Sequence, residues 1–264
     1  MKKERLDVLL VNNGFSPSRD KAKRTIMAGL VFINGNREDK SGTRFDPEVE
    51  ITVKGQECPY VGRGGYKLSK ALSTFRLDMT DNICMDIGSS TGGFTDCMLQ
   101  NGAKKVYDID VGSNQLAYKL RTDDRVVVME KTNIRYLDYD LIKEPIDFIS
   151  IDVSFISLRL VLPVAYNVLN ATGKIVCLVK PQFEAGKDQV GKKGIIRDPE
   201  VHTQVLENVL EFAEENKLFP CGLTFSPITG AKGNVEYLLC LSKIDDGVII
   251  DIDEIVNSSH KEFI

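Results

Sequence analysis

Ile83-Cys84-Met85-Asp86-Ile87-Gly88-Ser89-Ser90-Thr91-Gly92-Gly93-Phe94-Thr95 runs from a short apolar stretch into a glycine-bearing turn, and from there toward a helix. A strand that feeds a helix in this way is the repeating unit of a mostly parallel α/β sheet, where ligands sit beyond the carboxyl ends of the strands. Glycines 88, 92 and 93 allow close backbone approach, and the N-terminus of the following helix offers N–H groups. The spacing is not Gly-x-Gly-x-x-Gly, which argues against a nicotinamide cofactor. No Gly-Lys-Ser/Thr follows, so it is not a phosphate loop of the Walker type either.

Working outward, the same alternation continues. Apolar runs at 106–110, 126–129, 146–151, 175–179, 222–225 and 237–241 join 83–87 to predict a seven-stranded, mostly parallel sheet covered by helices. Asp198–Asn216 predicts a helix with Pro199 near its start and a stripe of Val201, Val205, Val209 and Phe212. His202 and His260 are read as surface residues. Asp245–Ile264 carries no motif.

Before this body lies a smaller, basic piece. Residues 1–70 hold 14 Lys+Arg against 9 Asp+Glu, a net of +5, which leaves −9 for the remainder within the overall −4. Leu6, Leu9 and Leu10 form a helical face, and Ser16-Pro17 opens a second helix that stops at Gly29. Val31-Phe32-Ile33 reads as a strand, Asn34-Gly35 as a tight hairpin turn, and Val49, Ile51 and Val53 as a half-buried strand. Arg19 and Lys23 share one side of the second helix, flanked by Lys21 and Arg24, a face suited to a phosphate backbone. Residues 54–60 lack periodicity and read as a linker, followed by the glycine- and cation-rich Gly62-Arg63-Gly64-Gly65-Tyr66-Lys67. The division expected is 1–58, 59–244 and a tail, 245–264.

Composition narrows the function classes. No stretch approaches the ~18 apolar residues of a membrane span, and the N-terminus lacks the pattern of a signal peptide. The six cysteines form no Cys-x-x-Cys pair and there are two histidines, which argues against a zinc site or a disulfide framework and for a reducing cytoplasm. No metal is expected. No Asn/Asp-Pro-Pro-Phe/Tyr motif is present, which disfavours methylation of base amines. Pro220-Cys221 exists, but nothing acidic stands near it to support a cysteine nucleophile.

Four charged residues stand where packing does not explain them. Lys67 precedes the first body helix, Asp152 and Lys180 end two strands, and Glu236 opens the last strand. In a doubly wound sheet these positions converge on one edge, and a lysine after Ile-Val-Cys-Leu-Val needs a carboxylate beside it. Two lysines around one hydroxyl suit proton removal: each disfavours the other's charge, and the protonated one steadies developing negative charge. On this reading Lys180 is the base, Asp152 positions it, and Lys67 and Glu236 organise the hydroxyl.

These residues carry three resemblances. Residues 4–54, through Arg5-Leu6-Asp7, Ser18-Arg19, Ala22, Ile26, Gly29, Val31 and Asn34-Gly35, resemble the S4 RNA-binding fold. Asp-x-Gly-x-x-x-Gly-Gly-Phe resembles the first motif of S-adenosylmethionine-dependent methyltransferases. It implies a cofactor at Asp86, Gly88, Ser89, Ser90, Thr91, Gly92, Gly93 and Phe94, with Asp110 on the ribose hydroxyls and Asn133 near the adenine. Lys67, Asp152, Lys180 and Glu236 in this order resemble the tetrad of FtsJ-class ribose methyltransferases. The combination resembles the TlyA/hemolysin A family over about residues 4–243. The resemblance implies transfer of a methyl group from S-adenosyl-L-methionine to the 2′-hydroxyl of cytidine in ribosomal RNA, 16S and in some members also 23S. The RNA or ribosomal subunit is then expected to meet Arg5, Arg19, Lys21, Lys23, Arg24, Arg63, Lys187, Lys192, Lys193 and Arg197. Two alternatives stay open: a membrane-lysing protein, which the sequence opposes, and an RNA-binding protein with an inactive methyltransferase domain, which the intact tetrad opposes.

Overall fold

A computed structural model describes residues 3–54, 58–186, 188–191, 194–230 and 232–264. The chain separates into two compact units, Met1–Pro59 and Tyr60–Ile264.

In the first unit, β1 (Glu4–Arg5) leads into α1 (Leu6–Asn12), and α2 (Arg19–Met27) follows. Ser18 caps α2 by accepting the Lys21 N–H. Next come β2 (Val31–Ile33), β3 (Asn36–Glu38), β4 (Arg44–Phe45) and β5 (Ile51–Val53). β2 lies between β3 and β5 in an antiparallel sheet, and β1 pairs with β4. Asn34 (φ 49°) and Gly35 (φ 79°) make the two-residue turn in the left-handed conformation that such hairpins need. Leu6, Leu10, Ala22, Ile26, Val31 and Ile33 form the core, so both helices bury the stripe that their periodicity marked.

The second unit begins with α3 (Gly64–Phe75) and then alternates: β6 (Ile83–Ile87), α4 (Gly93–Gln100), β7 (Lys105–Ile109), α5 (Tyr118–Arg121), β8 (Val126–Met129), β9 (Ile146–Ile151). It continues with α6 (Leu162–Val168), β10 (Leu169–Val179), α7 (Pro181–Glu184), α8 (Pro199–Glu215), β11 (Phe219–Phe225), β12 (Tyr237–Ser242) and α9 (Ile252–Phe263). The strands form one seven-stranded sheet in the order β11-β12-β10-β9-β6-β7-β8. β8, β7, β6, β9 and β10 are parallel, while β12 runs against both of its neighbours. Because β12 is reversed, its first residue lies at the same edge as the last residues of β9 and β10, with Val179 opposite Tyr237. One apolar cluster covers each face of the sheet: α3 and α4 contribute to one, α6 and α8 to the other.

Two expectations are corrected. His202 is fully buried on α8, not at the surface. The helix buries His202, Val205, Leu206, Val209 and Ala213, a stripe turned one residue from the one read in sequence. His202 Nδ1 lies 2.7 Å from the Tyr237 hydroxyl and Nε2 lies 3.3 Å from the Ile196 carbonyl oxygen, so burial leaves no ring nitrogen without a partner. Residues 245–264 are part of the second unit: Ile250, Ile252, Ile255, Val256 and Phe263 join the α6/α8 cluster. Asp251 caps α9 by accepting the Glu254 N–H at 2.9 Å.

Candidate active site

The charged residues singled out in sequence meet at the carboxyl edge of the sheet. Lys67 projects from the first turn of α3, Asp152 follows β9, Lys180 follows β10 and Glu236 precedes β12. Lys67 Nζ donates to Glu236 Oε2 at 2.6 Å and lies 3.6 Å from Asp152 Oδ2. Lys180 Nζ is ion-paired with Asp152 Oδ1 and also donates to the Val153 carbonyl oxygen at 2.9 Å and to Ser154 Oγ at 3.2 Å. Two ammonium groups therefore face two carboxylates, and Asp152 is shared between them.

At Lys67 the electrostatics differ from the expectation of a lysine whose charge is disfavoured. Burial opposes the Lys67 ammonium, but the carboxylates of Asp152 and Glu236 outweigh it, and the Lys67 pKa is raised. Burial likewise opposes the Asp152 carboxylate, but Lys67 and Lys180 outweigh it, and its pKa is lowered. Lys67 is thus a fixed cation held by two carboxylates, whereas one carboxylate holds Lys180.

The tetrad lines a cavity of about 930 Å³. Its other wall is the turn between β6 and α4, through Gly88, Ser89, Ser90, Thr91, Gly93 and Phe94. Gly88 has φ 84°, and a Cβ there would stand 2.7 Å from the Asp152 carbonyl oxygen. A Cβ on Gly93 would lie 3.0 Å from the Gly65 nitrogen. These glycines are therefore required by the chain's own close contacts, which seat the turn directly against the backbone that carries Asp152 and Lys67. Gly92 (φ 89°) faces Leu116 and Leu120 and does not line the cavity.

Asp86 is buried under the turn. It accepts the Thr95 N–H at 2.9 Å, the Thr95 hydroxyl at 2.8 Å and the Ser150 hydroxyl at 2.9 Å. Burial first, and then Asp108, pushes its carboxyl up to about 7. Asp108, absent from the sequence reading, accepts from Ser89 Oγ at 2.6 Å and Thr95 Oγ1 at 2.9 Å, so the two carboxyls brace the turn from below. Asp110 accepts the N–H groups of Ser90 at 2.8 Å and Gly112 at 2.6 Å. Asn133 caps a short 3₁₀ turn by accepting the Arg135 N–H. Neither Asp110 nor Asn133 is among the cavity-lining residues. The hydroxyls, glycine backbone and carboxylates of this wall are nonetheless a donor and acceptor set that fits an amino acid joined to a nucleoside.

Residues missed in sequence line the cavity or brace the segments around it. Phe155 (φ 63°) is 89% exposed at its rim, with its ring 5.1 Å from that of Phe183. Asn234 ties down the segment after Lys180: its Nδ2 donates to the Gly194 carbonyl oxygen at 2.9 Å, and its Oδ1 accepts the Ile196 N–H at 3.0 Å. Glu184 accepts from Ser157 Oγ at 2.6 Å and the Leu158 N–H at 2.8 Å, bracing the loop that follows Asp152. The polar residues around two strand ends were the available signal, but their partners are distant in sequence.

The basic candidates divide. In the first unit, Arg5 and Arg19 pair with the buried Asp7, each at 2.9 Å. Lys23 pairs with Asp20 at 3.4 Å, Lys21 is half-buried on α2, and Arg24 is exposed in its last turn. In the second unit, Arg63 is exposed and lines the cavity, and Arg197 is exposed. Lys187, Lys192 and Lys193 lie outside the described residues. Cys221, on β11, is not among the residues that line the cavity.

A parallel sheet with one reversed strand, a glycine turn after its central strand and a carboxylate–lysine cluster at its carboxyl edge define a methyltransferase. The FtsJ-like methyltransferase model matches residues 60–243, and the S4 domain model matches residues 4–51. The chain belongs to the TlyA/hemolysin A family of FtsJ-like methyltransferases with an S4 domain. It is 58% identical over 241 residues to "Putative rRNA methyltransferase YqxC" of Bacillus subtilis, covering 91% of this chain and 86% of that one. It is 42% identical to the 16S/23S rRNA (cytidine-2′-O)-methyltransferase TlyA of Mycobacterium tuberculosis, covering 91% and 90%. A solved structure titled "Putative hemolysin from Streptococcus thermophilus" matches with a TM-score of 0.79 and 51% identity, covering 100% and 98%.

Proposed function

We propose that this protein transfers the methyl group of S-adenosyl-L-methionine to the ribose 2′-hydroxyl of a cytidine in ribosomal RNA, 16S and also 23S, in the cytoplasm. Residues 1–58 dock RNA, residues 59–244 carry out the transfer, and residues 245–264 brace the sheet. The observation that carries the reading is the Lys67–Asp152–Lys180–Glu236 cluster facing the glycine turn across one cavity.

The cofactor supplies an electrophilic methyl group, and Gly88, Ser89, Ser90, Thr91, Gly93 and Phe94 would hold it, with Asp86 bracing the turn. Gly92, Asp110 and Asn133 are proposed to take part only if the wall rearranges around the ligand. The chain's own task is to prepare the hydroxyl. Lys180 lines the cavity beside the one carboxylate that holds it, and it is the lysine that takes the hydroxyl proton at Nζ. Asp152 keeps Lys180 aimed at the cavity. Lys67 stays charged and steadies negative charge on the ribose oxygen, with Glu236 fixing its position. Alignment of that oxygen is a positioning task for the rigid strand ends. Arg5, Arg19, Lys21, Lys23, Arg24, Arg63, Lys187, Lys192, Lys193 and Arg197 are proposed phosphate contacts.

No helix among the described residues is long and apolar enough to cross a membrane, so the lytic alternative gains no support from a spanning helix. The test is transfer of labelled methyl from S-adenosylmethionine to ribosomal subunits lacking the modification, with wild type beside Lys180→Ala. Label from wild type alone, recovered in a nuclease-resistant 2′-O-methyl dinucleotide, is the expected outcome. Label from both proteins would remove Lys180 as the base. No label in either subunit, with cofactor binding intact, would overturn the substrate.

A further inference from the structure

The Pro220-Cys221 dipeptide has no part in the active site, yet its cysteine stands in an unusual setting. Cys221 lies on β11, the edge strand of the sheet, and is one of two partly exposed cysteines, the other being Cys58. The pairing of β11 with β12 slips at this point: Pro220 is opposite Leu241, but Gly222 is opposite Cys240, leaving Cys221 as the extra residue. In such a bulge two residues oppose one, so Cys221 and Gly222 together face Cys240. Both cysteines belong to the same apolar cluster, on the α3 side of the sheet. Adjacent antiparallel strands place opposing Cα atoms about 4.5–5.5 Å apart, within the span that a disulfide bridges.

A cation completes the arrangement. Lys174, on β10 beyond the intervening β12, donates from Nζ to Cys221 Sγ at 3.3 Å, and its own counter-charge, Asp246, is 3.8 Å away. Hydrogen bonds from Cys240, Ser242 and then Lys174, with the charge of the Lys174 ammonium, outweigh burial and draw the Cys221 thiol below its ordinary pKa. The Cys240 thiol is raised by that same hydrogen bond and by burial. Cys84, Cys97 and Cys177 are buried, with thiols pushed up chiefly by burial. An activated, reachable thiol beside a buried second thiol is the arrangement of a reactive and a resolving cysteine.

We propose that Cys221 and Cys240 form an oxidant-sensitive dithiol, in which Cys221 reacts with a hydroperoxide and Cys240 closes a cross-strand disulfide. In the first step the Cys221 thiolate attacks a peroxide oxygen. The S–O bond forms, the O–O bond breaks, and the departing alkoxide or hydroxide takes a proton from solvent. The sulfur is oxidised to sulfenic acid and the peroxide is reduced. In the second step the Cys240 sulfur attacks that sulfur, the S–S bond forms and the S–O bond breaks. The Cys240 proton leaves with the hydroxide as water. Along β12, Cys240 lies four residues from Glu236, roughly 13 Å of strand, so this chemistry is separate from methyl transfer.

The test treats the full chain with hydrogen peroxide under denaturant-free conditions and maps the products by mass spectrometry. The expected product has lost two hydrogens and links the tryptic segments 218–232 and 233–243. Cys240→Ser should stop at a sulfenic acid on Cys221 that a dione reagent traps, and Cys221→Ser should give neither product. Lys174→Met should slow oxidation about tenfold near neutral pH, because the thiolate fraction falls. Modification of Cys58 with Cys221 still reduced would overturn the proposal. Oxidised Cys221 without a bond to Cys240 would overturn the pairing, and an unchanged rate in Lys174→Met would overturn the activation.

Discussion

Lys67 and Glu236, 169 residues apart, are joined by a 2.6 Å hydrogen bond inside the candidate active site, and both side chains are almost fully buried. A buried pair of this kind contributes little net stability but costs much when halved, because the remaining charge has no partner. Lys67→Met should therefore lower stability by about 3–5 kcal/mol and abolish transfer. The double variant Lys67→Met/Glu236→Met should recover much of the stability and none of the activity. Denaturant unfolding alongside a methyl-transfer assay checks both halves. Full activity in the double variant would remove the pair from the chemistry.

Gly88 tests the seating of the cofactor turn. A methyl group there meets the Asp152 carbonyl oxygen at 2.7 Å and must also adopt φ 84°. That conformation costs a non-glycine residue about 1–3 kcal/mol, and backbone cannot yield as a flexible side chain does. Gly88→Ala is expected to weaken S-adenosylmethionine binding at least tenfold by calorimetry, and to displace Asp152 enough to lower kcat as well. Gly14, where a Cβ would meet nothing within 4 Å, supplies the comparison: Gly14→Ala carries the strain of its φ of 76° without any clash, and should leave cofactor binding unchanged.

What was legible in the sequence follows from how each feature is encoded. The strands were readable because buried strands are short unbroken apolar runs, and a charged residue directly after such a run has to sit at the sheet edge. Asp152 and Lys180 lie at the carboxyl edge for this reason, whereas Glu236, which precedes β12, reaches the same edge because that strand is reversed. The purpose of the glycines was not readable, because the atoms that Gly88 must avoid belong to Asp152, 64 residues on. The electrostatics failed for the same reason: judging Lys67 requires knowing that two carboxylates reach it. Asp110 was placed at a strand end as expected, but its carboxylate closes the Ser90 and Gly112 turn, a contact no spacing announces. Arg5 and Arg19 looked like free cations until the fold buried Asp7 between them.

Asp7 itself gives the third prediction. Its side chain is fully buried, and burial alone would raise its pKa, but hydrogen bonds from Arg5 and Arg19 bring it down to about 2. A carboxylate with a depressed folded pKa adds stability above its unfolded pKa of about 3.9, lost as pH falls toward 2. Asp7→Asn should remove this at neutral pH, destabilising the first unit by about 1–3 kcal/mol. It should also free both guanidinium groups. If these arginines serve chiefly as braces, RNA affinity falls only as far as the fold loosens. If they also contact phosphate, Arg24→Ala, on an exposed side chain, and Arg19→Ala should flatten the salt dependence of binding by similar amounts. Titration of RNA binding against salt for the three variants separates these outcomes.

The two histidines of the chain meet on the far side of the sheet edge, and they set its response to acid. His202 Nδ1 lies 3.2 Å from His260 Nε2 and 2.7 Å from the Tyr237 hydroxyl, which in turn lies 3.0 Å from Ser259 Oγ on α9. Burial first, and then the neighbouring His260, pushes His202 down to about 4. The folded protein therefore resists protonation that the unfolded chain accepts near 6.5. Its neutral form contributes stability in full above that unfolded value. The contribution is lost as pH falls from 6.5 toward 4, because the unfolded state then binds more protons. Tyr237 follows Glu236 directly, and Ile196, whose carbonyl meets His202 Nε2, is tied to Asn234. Loosening this network should reach the cavity before the whole unit unfolds. Asp86, pushed up to about 7, gains stability over the same fall in pH, so the His202 contribution is read as a difference. Between pH 7 and pH 5 the Tm of wild type should fall roughly 5 °C further than that of His202→Asn, with hydrogen exchange in α9 and at residues 194–196 rising first. His202→Asn keeps a polar partner for Tyr237 but cannot titrate, and should flatten the pH dependence of Tm in that range. An unchanged slope in His202→Asn would remove this histidine as a source of the acid sensitivity.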